Sequence, residues 1–213
     1  MARNNTKTWF DQHKEVYEQQ VLVPARDFIT ALGAGLKKIA PGVQADPRVN
    51  KSLFRLNRDI RFSHDKTPYK THLGIWFWEG LRPRMECSGF YFHLESARLM
   101  LGVGLYAFPK DLLEAYRQSV VHPQHGPALT KAIAVIKKNP DYFLGEQHFK
   151  KIPRGYDARH PNSEYLLYDG LYVGVEMPVP AELFSGKLIG LCFEHYKKML
   201  PLHRWLLALT QRV

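Results

Sequence analysis

Apolar positions along this chain recur with two different periods, and each change of period marks an element. From residue 8 to 39 the apolar residues Trp9, Phe10, Val16, Tyr17, Val21, Phe28, Ile29, Leu32, Leu36 and Ile39 follow near-helical spacing. Pro24 marks a break or the first turn of a second helix. Pro41-Gly42 ends the pattern, and 43–50 reads as a loop. The period then drops to two. Over 52–62, Phe54, Leu56, Ile60 and Phe62 share one face with Arg58, while Arg55, Asn57, Asp59 and Arg61 share the other. Three more alternating runs follow: Leu73-Ile75-Phe77, Phe90-Phe92-Leu94 and Leu99-Leu101-Val103-Leu105. Short turns join them, as in consecutive antiparallel strands.

Helical spacing returns from Pro109, through Leu112, Leu113 and Tyr116, and again over 127–138, through Leu129, Ile133 and Ile136. Asn139-Pro140 stops the second of these. A short strand is expected over 146–153, an ambiguous stretch over 164–168, and a strand over 170–177. A helix over 181–199 is expected to break at Pro201, with a last helical piece through Trp205, Leu206 and Leu209. There is no repeat and no low-complexity linker. The reading is one α+β domain over 1–213: an antiparallel sheet flanked by N-terminal, central and C-terminal helices.

Composition adds little to the fold and something to the function. A chain of 213 residues, 45% hydrophobic, buries a core without disulfide or metal staples. No apolar run reaches the roughly 18 residues of a membrane span. Met1–Phe10 has no apolar core of a secretory leader, and Cys87 and Cys192 form no paired motif. Cytoplasmic residence, without a membrane partner, is the expectation. The net charge of +10 favours anionic partners in general. Nucleic acid is a possible partner but not the favoured one, because the excess charge is diffuse rather than gathered in a stripe.

Chemistry concentrates in 55–70, which holds five Arg or Lys side chains, two carboxylates and Tyr69. On a straight strand Arg55 and Arg61 stand roughly 20 Å apart, too far to clasp one small ligand. A single site must therefore join Asn57, Asp59 and Arg61 to groups returning from the loop, namely Asp65, Lys66, Tyr69 and Lys70. Arginine forks and lysine point charges in that arrangement select a carboxylate or phosphate. The competing reading is an ion-pair network, with Asp59 on Arg58 or Arg61 and Asp65 on Lys66 or Lys70, pinning the loop. Arg58, on the apolar face, demands a specific partner: a buried carboxylate or a bound anion.

The run Leu53-Phe-Arg-Leu-Asn-Arg-Asp-Ile-Arg-Phe-Ser-His-Asp-Lys-Thr-Pro-Tyr-Lys-Thr-His-Leu-Gly74 closely resembles the signature of the family named Domain of Unknown Function 2461. Asn4-Asn5 with Trp9-Phe10, Gly89–Glu95, Gly102–Tyr106, and Ile152–Asp157 with His160-Pro161 are similar to its other motifs, so the resemblance covers nearly the whole chain. It implies no activity, since the family has no established reaction or cofactor, and any cofactor stays unknown.

Around this core of charge, Gly74, Gly89, Gly102 and Gly104 either floor a pocket beside Tyr91 and His93, or mark bulges and close packing. Pro153-Arg154-Gly155-Tyr156 presents Arg154, either to close such a pocket or as a surface turn. His122-x-x-His125 has no acidic or thiol partner at ligand spacing, so no metal site is expected. No phosphate loop, dinucleotide fingerprint or nucleophile elbow is present. The favoured expectation is a small anionic ligand held by Arg55, Asn57, Arg58, Arg61, Asp65, Lys66, Tyr69, Lys70, Tyr91 and Arg154. If there is catalysis, Asp59 or His93 is the candidate general base. The alternatives are a nucleic-acid or protein-binding surface, and a purely structural network at 55–70.

Overall fold

A computed structural model describes residues 3–212; Met1 and Ala2, the first two positions of the Met1–Phe10 stretch read above, and Val213 lie outside the described residues. The fold is α+β and is built on a six-stranded antiparallel sheet, as the alternating runs predict. Its helices are α1 (Lys7–Gln12), α2 (Lys14–Tyr17), α3 (Val23–Leu36), α4 (Lys110–Val121), α5 (His125–Ile136) and α6 (Lys187–Thr210). Its strands are β1 (Val43–Gln44), β2 (Leu73–Glu79), β3 (Gly89–Leu94), β4 (Arg98–Leu105), β5 (Tyr142–Leu144) and β6 (Leu171–Pro178), in the sheet order β1-β2-β3-β4-β6-β5. Among the described residues no helix is long and apolar enough to cross a membrane.

Contacts divide the chain into two compact units. The first comprises the chain up to Phe77 with Tyr91–Met100 and Met177–Phe193; the second comprises Trp78–Phe90, Leu101–Glu176 and the chain from Glu194 onward.

In the first unit, Thr6 caps α1 by accepting from the Trp9 backbone amide. The helical stretch from 7 to 36 is interrupted at His13 and widened into a π-helical turn at Glu18–Leu22. Pro24 lies in the first turn of α3, directly after the π-helical turn. Ile29, Leu32 and Leu36 then form a buried stripe. Gly33 lets that helix approach closely, since a Cβ there would stand 2.3 Å from the Ala45 Cβ.

In the second unit, α4 and α5 bury Leu112, Tyr116, Val120, Leu129, Ile133 and Ile136, and α6 buries Tyr196, Met199, Leu202 and Leu209. The Trp205 indole N–H donates to the His125 carbonyl at 2.9 Å, and the Tyr116 hydroxyl to the Tyr165 carbonyl at 2.7 Å. These two polar groups thus keep hydrogen-bond partners as they leave water.

Three expectations are corrected. Residues 52–62 form no continuous strand; they are an extended, irregular segment with isolated bridges at Leu53–Ile75 and Asn57–Tyr69. Alternation there followed an extended backbone that lacks a ladder partner, and Phe62, assigned to the apolar face, is 94% exposed. The strand expected at 146–153 lies earlier, at β5, where Tyr142 pairs with Val175 and Leu144 with Val173. Helix α6 runs through Pro201 instead of ending there. Buried Met199, Leu202 and Trp205 flank the proline, and their packing outweighs the lost hydrogen bond.

Candidate functional site

The 55–70 stretch folds back on itself within the first unit. The Arg58 amide donates to the Pro68 carbonyl at 2.9 Å, and the Lys70 amide to the Leu56 carbonyl at 2.9 Å. The turn between these arms is set by Asp65, which accepts from the Thr67 amide at 2.9 Å and from its hydroxyl at 3.0 Å. This is the local side-chain turn that aspartate favours. Tyr69 is fastened from far along the chain. The Asn5 amide oxygen accepts from the Tyr69 N–H at 3.0 Å and its nitrogen donates to the Tyr69 carbonyl at 2.9 Å. The Tyr69 ring packs on Phe10, with centroids 4.6 Å apart.

The charged groups of the stretch are largely engaged with one another. Arg58 donates to Asp65 and to the Thr67 hydroxyl, and reaches the Thr67 carbonyl at 3.2 Å. Arg58 therefore has a carboxylate partner, but Asp65 sits in its own loop rather than in the core. Arg61 forks onto Asp59 with contacts of 2.9 and 2.7 Å, and Lys66 donates to the Ile60 carbonyl at 3.0 Å. These bonds hold both carboxyls far down. Asp59 falls to about 2, mainly through the Arg61 side chain. Asp65 falls to about 2 through the Thr67 amide first and Arg58 second. A carboxylate so stabilised is a weak base, which speaks against Asp59 as a proton acceptor. Arg55 is exposed and contributes charge near Asp59, and Asn57 is bridged to Tyr69.

A second group of side chains gathers where the stretch meets β2 and β3. Tyr91, His93 and Glu95 project from alternate positions and form a hydrogen-bonded row. The Tyr91 hydroxyl lies 3.0 Å from His93 Nδ1, and His93 Nε2 lies 3.1 Å from Glu95 Oε1. A carboxylate can only accept, so the ring proton belongs on Nε2, and in the neutral ring Nδ1 accepts from Tyr91. Arg98 donates to the other Glu95 oxygen at 3.0 Å. The His93 bond and then Arg98 lower the Glu95 carboxyl, whereas burial pushes Tyr91 up to about 12.

His72 stacks on His93, with centroids 4.2 Å apart and planes at 26°. Burial, then the neighbouring His93 and Lys70, push His72 down to about 4, against the opposing influence of Glu95. Lys70 also lies over the Phe54 ring at 5.2 Å, and Phe54 meets Tyr91 edge-on. Lys70 of the basic stretch thus reaches this group through Phe54 and His72.

His72, Glu95 and Arg98 are absent from the sequence-derived set. The Tyr91-x-His93-x-Glu95 spacing was a readable signal, since alternate strand positions share a face. The approach of His72 to His93 depends on how separate segments pair, which spacing alone does not reveal.

Gly74 and Gly104 are each packed against neighbours rather than open to a ligand. Gly74 is covered, with a Cβ there 3.2 Å from both Phe54 and the Tyr91 hydroxyl. Gly104, in the second unit, has φ +141° and faces the β6 backbone, where a Cβ would stand 2.3 Å from the Leu171 carbonyl oxygen. It serves close backbone approach. Arg154 lies on an exposed turn of the second unit, where Tyr156 donates to Glu114 at 3.4 Å.

The second unit also holds a buried row absent from the sequence reading: Ser88 Oγ is 2.9 Å from His203 Nδ1, and His203 Nε2 is 2.7 Å from Glu79 Oε2. Its members have the residue types of a nucleophile triad. Ser88 and His203 are each 1% exposed and Glu79 is 8% exposed, so a substrate has no approach to the hydroxyl and the row reads as internal bracing. Among the described residues no three His, Cys, Asp or Glu side chains converge as a metal site.

The chain matches the family model described as Conserved hypothetical protein (DUF2461) over residues 1–205, and it belongs to that family. A search of curated proteins gives no match.

Proposed function

We propose that the protein binds a small oxyanion, carboxylate or phosphate, on the surface where Lys70 meets His72. The observation that carries this reading is the disposition of His72. Its ring is stacked and half-buried beside Lys70, yet its nitrogens make no hydrogen bond to any described residue. A partly buried ring nitrogen with that neighbour suits an anionic acceptor. The reading divides the basic stretch by role. Arg58, Asp59, Arg61 and Asp65 brace the loop, and Lys70 supplies charge to the ligand. His93, oriented by Tyr91 and Glu95, supports the His72 ring from behind.

Thermal melting in sulfate, phosphate and small carboxylates, against chloride at equal ionic strength, tests this. Ligand at a hundred times its Kd stabilises by about 2.7 kcal/mol, which a melting shift resolves. The wild type and Arg61→Ala are expected to gain stability with at least one oxyanion, and Lys70→Met to lose that gain. Equal melting in every salt for the wild type overturns the proposal.

A further inference from the structure

We infer that this surface takes up its anion together with a proton, so that His72 becomes the imidazolium that the oxyanion contacts. The inference rests on the anion-site reading above and adds to it a coupling between ligand and pH.

The argument starts from the two stacked rings. His93 has both nitrogens committed, one to Tyr91 and one to Glu95, so its orientation and its Nε2 proton are held in place. His72, the outer ring, has no such commitment among the described residues. The groups facing His72 are Lys70 on its own segment, and His93 and Glu95 on and just beyond β3. Lys70 is cationic, and His93 lies 4.2 Å away, centroid to centroid. Both oppose a charge on His72. Glu95 favours one, but its two oxygens already receive His93 and Arg98. Half-burial adds a desolvation cost to the charged form.

An oxyanion against His72 and Lys70 changes the sign of that balance. It supplies negative charge next to the ring and an acceptor for its N–H, and both favour imidazolium over imidazole. Ligand and proton then bind with positive coupling, and the coupling is reciprocal: protonation tightens the anion and the anion raises the affinity for the proton. One linked proton limits the effect to about tenfold in affinity per pH unit. The ligand class is narrowed accordingly to oxyanions that remain anionic through mildly acid pH, such as sulfate, strong carboxylates and phosphate monoesters, which keep at least one charge.

Sulfate is the suitable probe because it does not titrate between pH 5 and 8, so any linked proton belongs to the protein. The Hε1 resonances of the histidines are followed by NMR from pH 8 to 5, in sulfate and in chloride at equal ionic strength. His72 is assigned by its loss in His72→Gln, or by its Overhauser contact to His93 if that variant does not fold. The expected result is a His72 midpoint that moves upward in sulfate, with a sulfate-induced melting shift that is larger at pH 5.5 than at pH 7.5. His72→Gln is expected to retain a smaller, pH-independent shift. A sulfate-induced melting shift of equal size at both pH values, with the His72 midpoint unmoved, overturns the proton coupling and leaves the anion site standing. No melting shift at any pH, with no movement of the midpoint, overturns both.

Discussion

The Glu79–His203–Ser88 row shows how differently the same residue types act when buried. Every polar atom of the row that faces another is paired at hydrogen-bond distance, in surroundings where an unpaired one is costly. Removing the middle member should therefore be expensive. His203→Ala, which removes both hydrogen bonds of the row and leaves the space of a buried ring, is expected to cost about 3 kcal/mol. Ser88→Ala, which removes a neutral partner, is expected to cost about 1 kcal/mol. Urea unfolding of both variants checks the ordering; equal and small losses would mean that the row contributes little bracing. By contrast, the Arg61–Asp59 pair stands largely in water and the Arg58–Asp65 pair is solvated on its Asp65 side, so screening leaves them to fix a loop's shape more than the protein's stability. The partner of Arg58 was not legible in the sequence, because the strand reading placed Asp65 beyond a turn of unknown geometry. The pairing of Asp59 with Arg61 was among the readings considered, and it is the one observed.

At the scale of elements, helices and central strands were legible wherever a long run kept one period. Helices α3, α4 and α5, and strands β2, β3 and β4, all fall where the periodicity places them. The failures share one physical cause, a competitor that local pattern cannot register. Residues 52–62 alternate, but extended backbone becomes a strand only when a neighbour supplies a continuous ladder, and here the chain pairs at isolated points. Pro201 should stop a helix on local grounds, yet α6 carries buried side chains on both sides of it. The proline deprives the Lys197 carbonyl of its helical donor. Pro201→Ala is accordingly expected to raise stability, by up to about 3 kcal/mol, read as an upward shift in the urea midpoint. A drop instead would show that the ring's packing outweighs the missing bond.

For the whole molecule, stability should fall toward acid in two stages. His72 is held down from 6.5 to about 4, and His125 and His195 are also lowered, burial being the first cause in each case. These rings protonate less readily in the fold than in the unfolded chain, which takes up protons below about 6.5, so stability is lost as pH falls below that value, for His72 down to about 4. Asp46, Asp59 and Asp65 are lowered from 3.8 to about 2, so their contribution is present above the ordinary carboxylate range and is lost between about 4 and 2. Unfolding midpoints at pH 7, 5 and 3 check both stages. His72→Gln should flatten the first, and added salt should weaken the second, because those carboxylates lie in solvent. A flat profile from pH 7 to 4 would contradict the lowered proton affinity of these partly buried histidines.

The double hydrogen bond from Asn5 to Tyr69 has a consequence for what counts as a motif. The basic stretch reads as a self-contained peptide, yet the peptide group of Tyr69 is satisfied from 64 positions upstream. A fragment that begins after α1 contains every residue from 55 to 70 and still lacks the groups that complete their bonding. The stretch is therefore not a transplantable module: its identity is written in one segment, and its shape is borrowed from another.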